Sequence, residues 1–134
     1  MTYPFREDLT KRKRRKKSPQ EAAKTQCDIL FSKIIRAVGY CERCGRTGRL
    51  ECSHWIGRTA SNTRTDLDNA FSMCHACHRW WHADPIRAAE WAISMRGQAV
   101  YDRLREAANE HSKMDWVAEL GRLREIAKRE GIAA

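Results

Sequence analysis

Two Cys-x-x-Cys pairs, Cys41/Cys44 and Cys74/Cys77, stand out in this chain of 134 residues and six cysteines. Each pair can grip one metal ion from a tight turn, and Gly45 helps the backbone turn after the first pair. Four thiolates suit tetrahedral zinc with no open coordination position, the structural kind of site. A site of that kind contributes folding free energy directly, which a short and highly charged chain needs. The interval between the pairs exceeds that of a minimal zinc ribbon and leaves room for a hairpin. Cys27 falls on an apolar helical stripe and reads as a small buried hydrophobe. Cys52 lacks a partner at knuckle spacing and reads as a free thiol or core residue.

Four polar residues lie between and just after the knuckles: His54, Asn69, His78 and His82. His78 and His82 are four apart, so on a helix both rings face one side and can chelate one ion. Imidazole ligands would leave that ion open to substrate, whereas the cysteine cage is closed. Two metal sites with different roles follow from ligand type. An unperturbed histidine titrates near neutral pH, so His54 has the chemistry of a general base. His75 and His111 have no motif around them and are given no role.

The order His, Asn, Cys-x-x-Cys-His in CERCGRTGRLECSHWIGRTASNTRTDLDNAFSMCHACHRWWH resembles the HNH (ββα-metal) endonuclease family, in its zinc-containing phage and prophage branch. The stretch SHWIGR with TRTDLDNAFSMCHACH is similar to the lambdoid Rap/NinG-type recombination nucleases, which tend to carry Asn where this chain has His78. The resemblance covers roughly a third of the chain. It implies a fold in which a hairpin and a helix pinch a catalytic divalent cation (magnesium, manganese, nickel or zinc). It makes His54 the base that activates water, Asn69 an orienting residue, His78 a ligand of the catalytic ion and His82 a second ligand. Many members carry Asp or His just before the base, as a ligand, where this chain has Ser53. Either a hydroxyl or water fills that position, or His54 binds metal and another group is the base. The implied function is metal-dependent hydrolysis of DNA phosphodiester bonds in phage packaging or recombination, within the cytoplasm of a bacterial host. The alternatives are a non-catalytic zinc module that binds nucleic acid and a protein-interaction zinc finger.

Charge points to the same partner. The formal net charge is +9, and Lys11, Arg12, Lys13, Arg14, Arg15, Lys16 and Lys17 account for all but +2 of it. A basic run of this kind favours a polyanion, DNA ahead of membrane, and predicts binding that weakens with salt. Arg58 and Arg64, close in sequence to His54 and Asn69, are candidates for gripping phosphates beside the cut. No apolar run is long enough to span a bilayer, and the first ten residues have no signal-peptide character. A reducing, intracellular location is therefore expected, where cysteines serve as ligands more readily than as disulfides.

The elements that must position these residues are legible from caps and periodicity. Residues 1–17 read as a disordered basic arm. Ser18, Pro19 and Glu21 start a helix, whose apolar stripe is Ala23, Cys27, Leu30, Phe31, Ile34 and Val38, with Gly39 as its stop. Leu50 to Ile56 and Asn69 to Met73 are predicted strands around a polar loop, Gly57 to Asp68, and His75 to His82 a short helix. Asp84-Pro85 opens a helical C-terminal region, broken near Gly97, with Trp91, Met95, Tyr101 and Leu104 on its apolar positions. Asp115 caps a last helix with the stripe Trp116, Leu120, Leu123 and Ala127. The expectation is an α+β protein: a core at 18–84 stapled by a four-cysteine zinc site, with helices at 85–134 packed on it.

Overall fold

The Ser18 hydroxyl accepts the Glu21 N–H at 3.2 Å while the Glu21 carboxylate accepts the Ser18 N–H at 3.3 Å, a reciprocal cap that starts helix α1 (Pro19–Arg36). The computed structural model describes residues 14–133. Lys11, Arg12 and Lys13 lie outside the described residues. Just before the cap, Arg15 pairs with Glu21 at 2.6 Å and Lys17 donates to Thr25 at 2.9 Å, both at the surface.

After α1 come strand β1 (Leu50–His54), strand β2 (Ala70–Cys74) and helices α2 (His75–Ala83), α3 (Pro85–Arg96), α4 (Gln98–Asn109) and α5 (Trp116–Arg129). The fold is α+β, with five α-helices and one two-stranded antiparallel sheet among the described residues. In its register Cys52 faces Ser72 and His54 faces Ala70, while Glu51 faces Met73 and Ser53 faces Phe71. Alternation sends these two sets of pairs to opposite faces.

A lone two-stranded hairpin is marginal in water, so both faces need cover. On one side Ala23, Cys27, Leu30 and Phe31 of α1 meet Trp116, Leu120, Leu123 and Ala127 of α5, with Ala70 and Cys52 against them. On the other, Phe71 and Met73 pack with Cys41, Cys74, Cys77 and Trp81, and with Ala88 and Ala92 of α3. The Arg96 guanidinium lies 3.9 Å from the Phe71 ring centre and closes this second core. No described helix is long and apolar enough to cross a membrane.

Some boundaries differ from expectation for physical reasons. Helix α1 ends at Arg36, so Val38 falls beyond it and is exposed, while Gly39 takes a positive φ of 86° in the turn that follows. Strand β1 stops at His54, because the Asn69 side chain, and not a ladder, then holds the backbone of Ile56. Met95 lies on the outer side of α3 and is exposed.

Candidate functional site

The loop between the strands is pinned by long-range polar contacts that sequence alone does not reveal. Arg64 grips Asp28 of α1 with two nitrogens, at 2.8 and 2.7 Å, and Arg58 reaches the same carboxylate at 2.9 Å. Burial raises the Asp28 carboxyl, but these two guanidinium groups outweigh it and hold the group below its ordinary range. Arg103 of α4 bridges Asp66 and Asp68 at 2.8 and 2.7 Å. Thr65 donates to Glu119 of α5 at 2.7 Å. Arg64 is thus committed to anchoring the loop, with little of its side chain exposed, whereas Arg58 keeps about half of its surface open.

Asn69 is fully buried behind this loop. Its Oδ1 accepts the Ile56 N–H at 2.7 Å, and its Nδ2 donates to the carbonyls of Ile56 and Thr63 at 2.9 and 3.0 Å. Every strong hydrogen-bonding direction of the amide except one is spent on the loop backbone. The residue expected to orient the site therefore holds the chain on which Arg64 sits.

That placement matters for His54. The Arg64 carbonyl lies 3.0 Å from His54 Nε2. A carbonyl can only accept, so Nε2 carries the proton and Nδ1 of the neutral ring holds the lone pair. Among the described residues nothing hydrogen-bonds Nδ1. Burial, reinforced by the nearby Arg58 charge and opposed by the Arg64 carbonyl, lowers the imidazole below its usual pKa and keeps it neutral at pH 7. Phe31 packs on the ring at 5.4 Å between centres, and the indole N–H of Trp81 donates to the His54 carbonyl at 3.1 Å. The ring is locked in orientation and tautomer.

Helix α2 carries the other two imidazoles. The Glu51 carboxylate accepts from His78 Nδ1 at 2.9 Å, which fixes the proton there and leaves the lone pair on Nε2. His78 Nε2 lies 3.1 Å from His82 Nε2. Two imidazole nitrogens on one ion, each about 2.1 Å from it, are separated by about 3.0–3.4 Å for right-angled to tetrahedral bites. The pair therefore fits a shared divalent cation. The same carboxylate also touches His75 at 3.2 Å, and the His78 bond followed by the His75 bond hold it below its ordinary pKa. The Ser53 hydroxyl is buried on the α2 side of β1 and has no described partner, a condition it shares with Ser72 on the opposite face.

The histidines do not form one tight cluster. His54 and His82 line a common cleft of about 380 Å³, but the His54 ring rests against α1 and the His78–His82 pair lies against α2. His54 also lines a second cleft of about 510 Å³ between α1 and β1, with Glu51, Arg36 and Arg58. It thus stands between two solvent-facing openings. Glu51 and Asp28 are the site-building residues that motif reading passes over. Strand alternation was a usable signal for Glu51, since it sets Glu51 and Ser53 on one face of β1. Asp28 offered none.

The four knuckle sulfurs of Cys41, Cys44, Cys74 and Cys77 all lie within 4.8 Å of one another, and Cys44 and Cys74 are 3.7 Å apart. Zinc–sulfur bonds of about 2.3 Å in a tetrahedron put sulfurs about 3.8 Å apart, so the donor set and spacing fit a closed zinc site. Burial raises the Cys41 thiol, but the amides of Cys74, Cys44 and Arg43 outweigh it and bring the thiol to about 6. Cys77 goes the other way, to about 12, through burial and then its neighbouring thiols, with Arg43 pulling against them. Four adjacent thiols surrender the first proton easily and the last with difficulty, and a dication removes that obstacle. Cys52 is outside the cluster, and burial raises its thiol to about 12. Cys27, against the Trp116 carbonyl at 3.5 Å, is raised to about 11, again by burial.

Comparison with family models, with curated proteins and with solved structures found no match to this chain.

Proposed function

We propose that the protein is a metal-dependent endonuclease of the HNH type, which hydrolyses DNA phosphodiester bonds and uses a four-cysteine zinc site as its structural staple. The observation that carries this reading is the tautomer lock on His54. A carbonyl on Nε2 and a lowered pKa leave Nδ1 as an available base, on a residue that lines the same cleft as His82. A buried histidine serving only as packing has no need of a free, oriented lone pair at an opening.

Each residue then has a part. His54 takes the proton from the attacking water at Nδ1. Asn69 and the Arg64–Asp28 pair keep the Arg64 carbonyl where His54 needs it. His78 and His82 would hold the divalent cation, and Glu51 orients His78 toward it. Such an ion supplies neutralisation of the scissile phosphate and stabilisation of the leaving oxygen. Ser53 replaces the additional protein ligand seen in many HNH enzymes, which leaves that donor position to its hydroxyl or to water. Arg58, half exposed on the His54 side, is the loop cation available to a phosphate. Arg14 to Lys17, exposed at the edge of α1, would add affinity without sequence preference. A role in phage packaging or recombination is the biological setting the motif resemblance suggests.

The test is cleavage of supercoiled plasmid by the zinc-loaded protein across a panel of divalent cations. Wild type should nick or cut, and His54→Ala should lose this by at least a hundredfold while keeping its fold and zinc. A His54→Ala protein that cuts at the wild-type rate removes the assignment. DNA binding without cutting by either protein favours the non-catalytic zinc module.

A further inference from the structure

The cleft shared by His54 and His82 has one wall made of aromatic rings. Trp55 and Tyr101 stack at 5.0 Å with an interplanar angle of 18°, and Trp81 stands beside them, its indole N–H spent on the His54 carbonyl. Ala88 and Ala89 of α3 contribute to the lining, and their small side chains leave a gap between α3 and the end of β1. Trp55 and Tyr101 are only half-buried, and Trp55 is further braced by Phe71 at 6.0 Å. The aromatic surface is therefore built before anything arrives.

We propose that this cleft is a nucleobase subsite, which takes the base of an unpaired nucleotide adjoining the phosphate held at His54. The inference rests on the nuclease reading for its phosphate and extends it to the kind of DNA attacked. A phosphate has no use for an apolar aromatic wall, whereas a base has flat faces that stack on one and polar edges that can meet the exposed His82 imidazole at the rim. The basic run at 11–17, which carries all but +2 of the chain's net charge of +9, favours a polyanionic ligand for the chain over a neutral aromatic one. Inside a duplex both faces of a base are covered by its neighbours. The occupant must therefore be unstacked, and a strand with an unpaired nucleotide gives it up at least cost.

The experiment is anisotropy binding of a labelled single-stranded oligonucleotide to the zinc-loaded wild-type protein without added divalent cation, compared with the same strand made abasic throughout its central positions. Stacking of one base is worth about 1–3 kcal/mol, so the intact strand should bind roughly tenfold tighter or more. Tyr101→Phe should keep that preference, and Tyr101→Ala should abolish it. Ala89→Leu should abolish it as well by filling the gap, and it keeps the test decisive if Tyr101→Ala fails to fold. Equal binding of intact and abasic strands, or an undiminished preference in Ala89→Leu, overturns the proposal. Plasmid cleavage by wild type, run in parallel, separates the two ideas. A base preference without cutting upholds the subsite and fails the nuclease reading, and cutting without a base preference does the reverse.

Discussion

Replacing Asn69 tests how the strand-connecting loop is held. Asn69→Ala removes three hydrogen bonds, of 2.7, 2.9 and 3.0 Å, to the N–H and carbonyl of Ile56 and the carbonyl of Thr63. Each deleted bond that strands a buried partner costs about 1 kcal/mol at the low end. Stability should therefore fall by about 3 kcal/mol, a large share of the 5–15 kcal/mol typical of a domain. With a urea dependence of about 2 kcal/mol per molar, the unfolding midpoint of the zinc-loaded protein should drop by about 1.5 M. Asn69→Asp separates hydrogen bonding from shape. It keeps the acceptor for the Ile56 N–H but turns oxygen toward two carbonyls, so at pH 7 it should cost at least as much as alanine. Part of that loss should return in acid, where the protonated carboxyl regains one donor. A midpoint shift under about 0.5 M for Asn69→Ala, or an Asn69→Asp protein as stable as wild type at pH 7, would refute this account of the loop.

Other consequences can be checked directly. The four knuckle cysteines should bind one zinc per chain; a thiol reagent should find Cys27 and Cys52 unreactive, their thiols being raised to about 11 and 12, and a strong chelator should release the four knuckle thiols and unfold the hairpin. Asp28→Asn should destabilise the loop by about 1–3 kcal/mol at neutral pH, read by urea unfolding. Because the folded Asp28 pKa is lowered from 3.8, its contribution is present above that value and lost as pH falls through the folded pKa, so the two proteins should converge in strong acid. The His54 pKa is lowered from 6.5, so NMR should find its ring more than half neutral at pH 6.5, and the acid limb of cleavage should lie below that pH. Glu51→Gln should weaken divalent-cation binding by about 10–100-fold, measured by calorimetry, with the zinc site intact.

Sequence and structure agree where the signal is local. The cap at Ser18, the stripe Trp116, Leu120, Leu123 and Ala127, and the two Cys-x-x-Cys turns each lie within a few residues, and each is present. The pairing of His78 with His82 follows from helical spacing alone, and their nitrogens do converge. What was not legible depends on how distant segments dock. Arg64 in a polar loop reads as a free cation until Asp28, 36 residues away, is seen to take its guanidinium. Glu51 acquires a partner only once α2 lies across β1. The aromatic cleft needs Trp55 from the hairpin and Tyr101 from α4 to meet, which no periodicity announces.

The most direct test of the whole account is the rate of plasmid cleavage in His54→Ala against wild type, at saturating divalent cation and with zinc content measured on the same samples. Loss of cutting in a folded, zinc-bearing variant is the predicted result. Equal rates in the two proteins would mean that the free Nδ1 of His54 is not the base, and the proposed chemistry would fall with it.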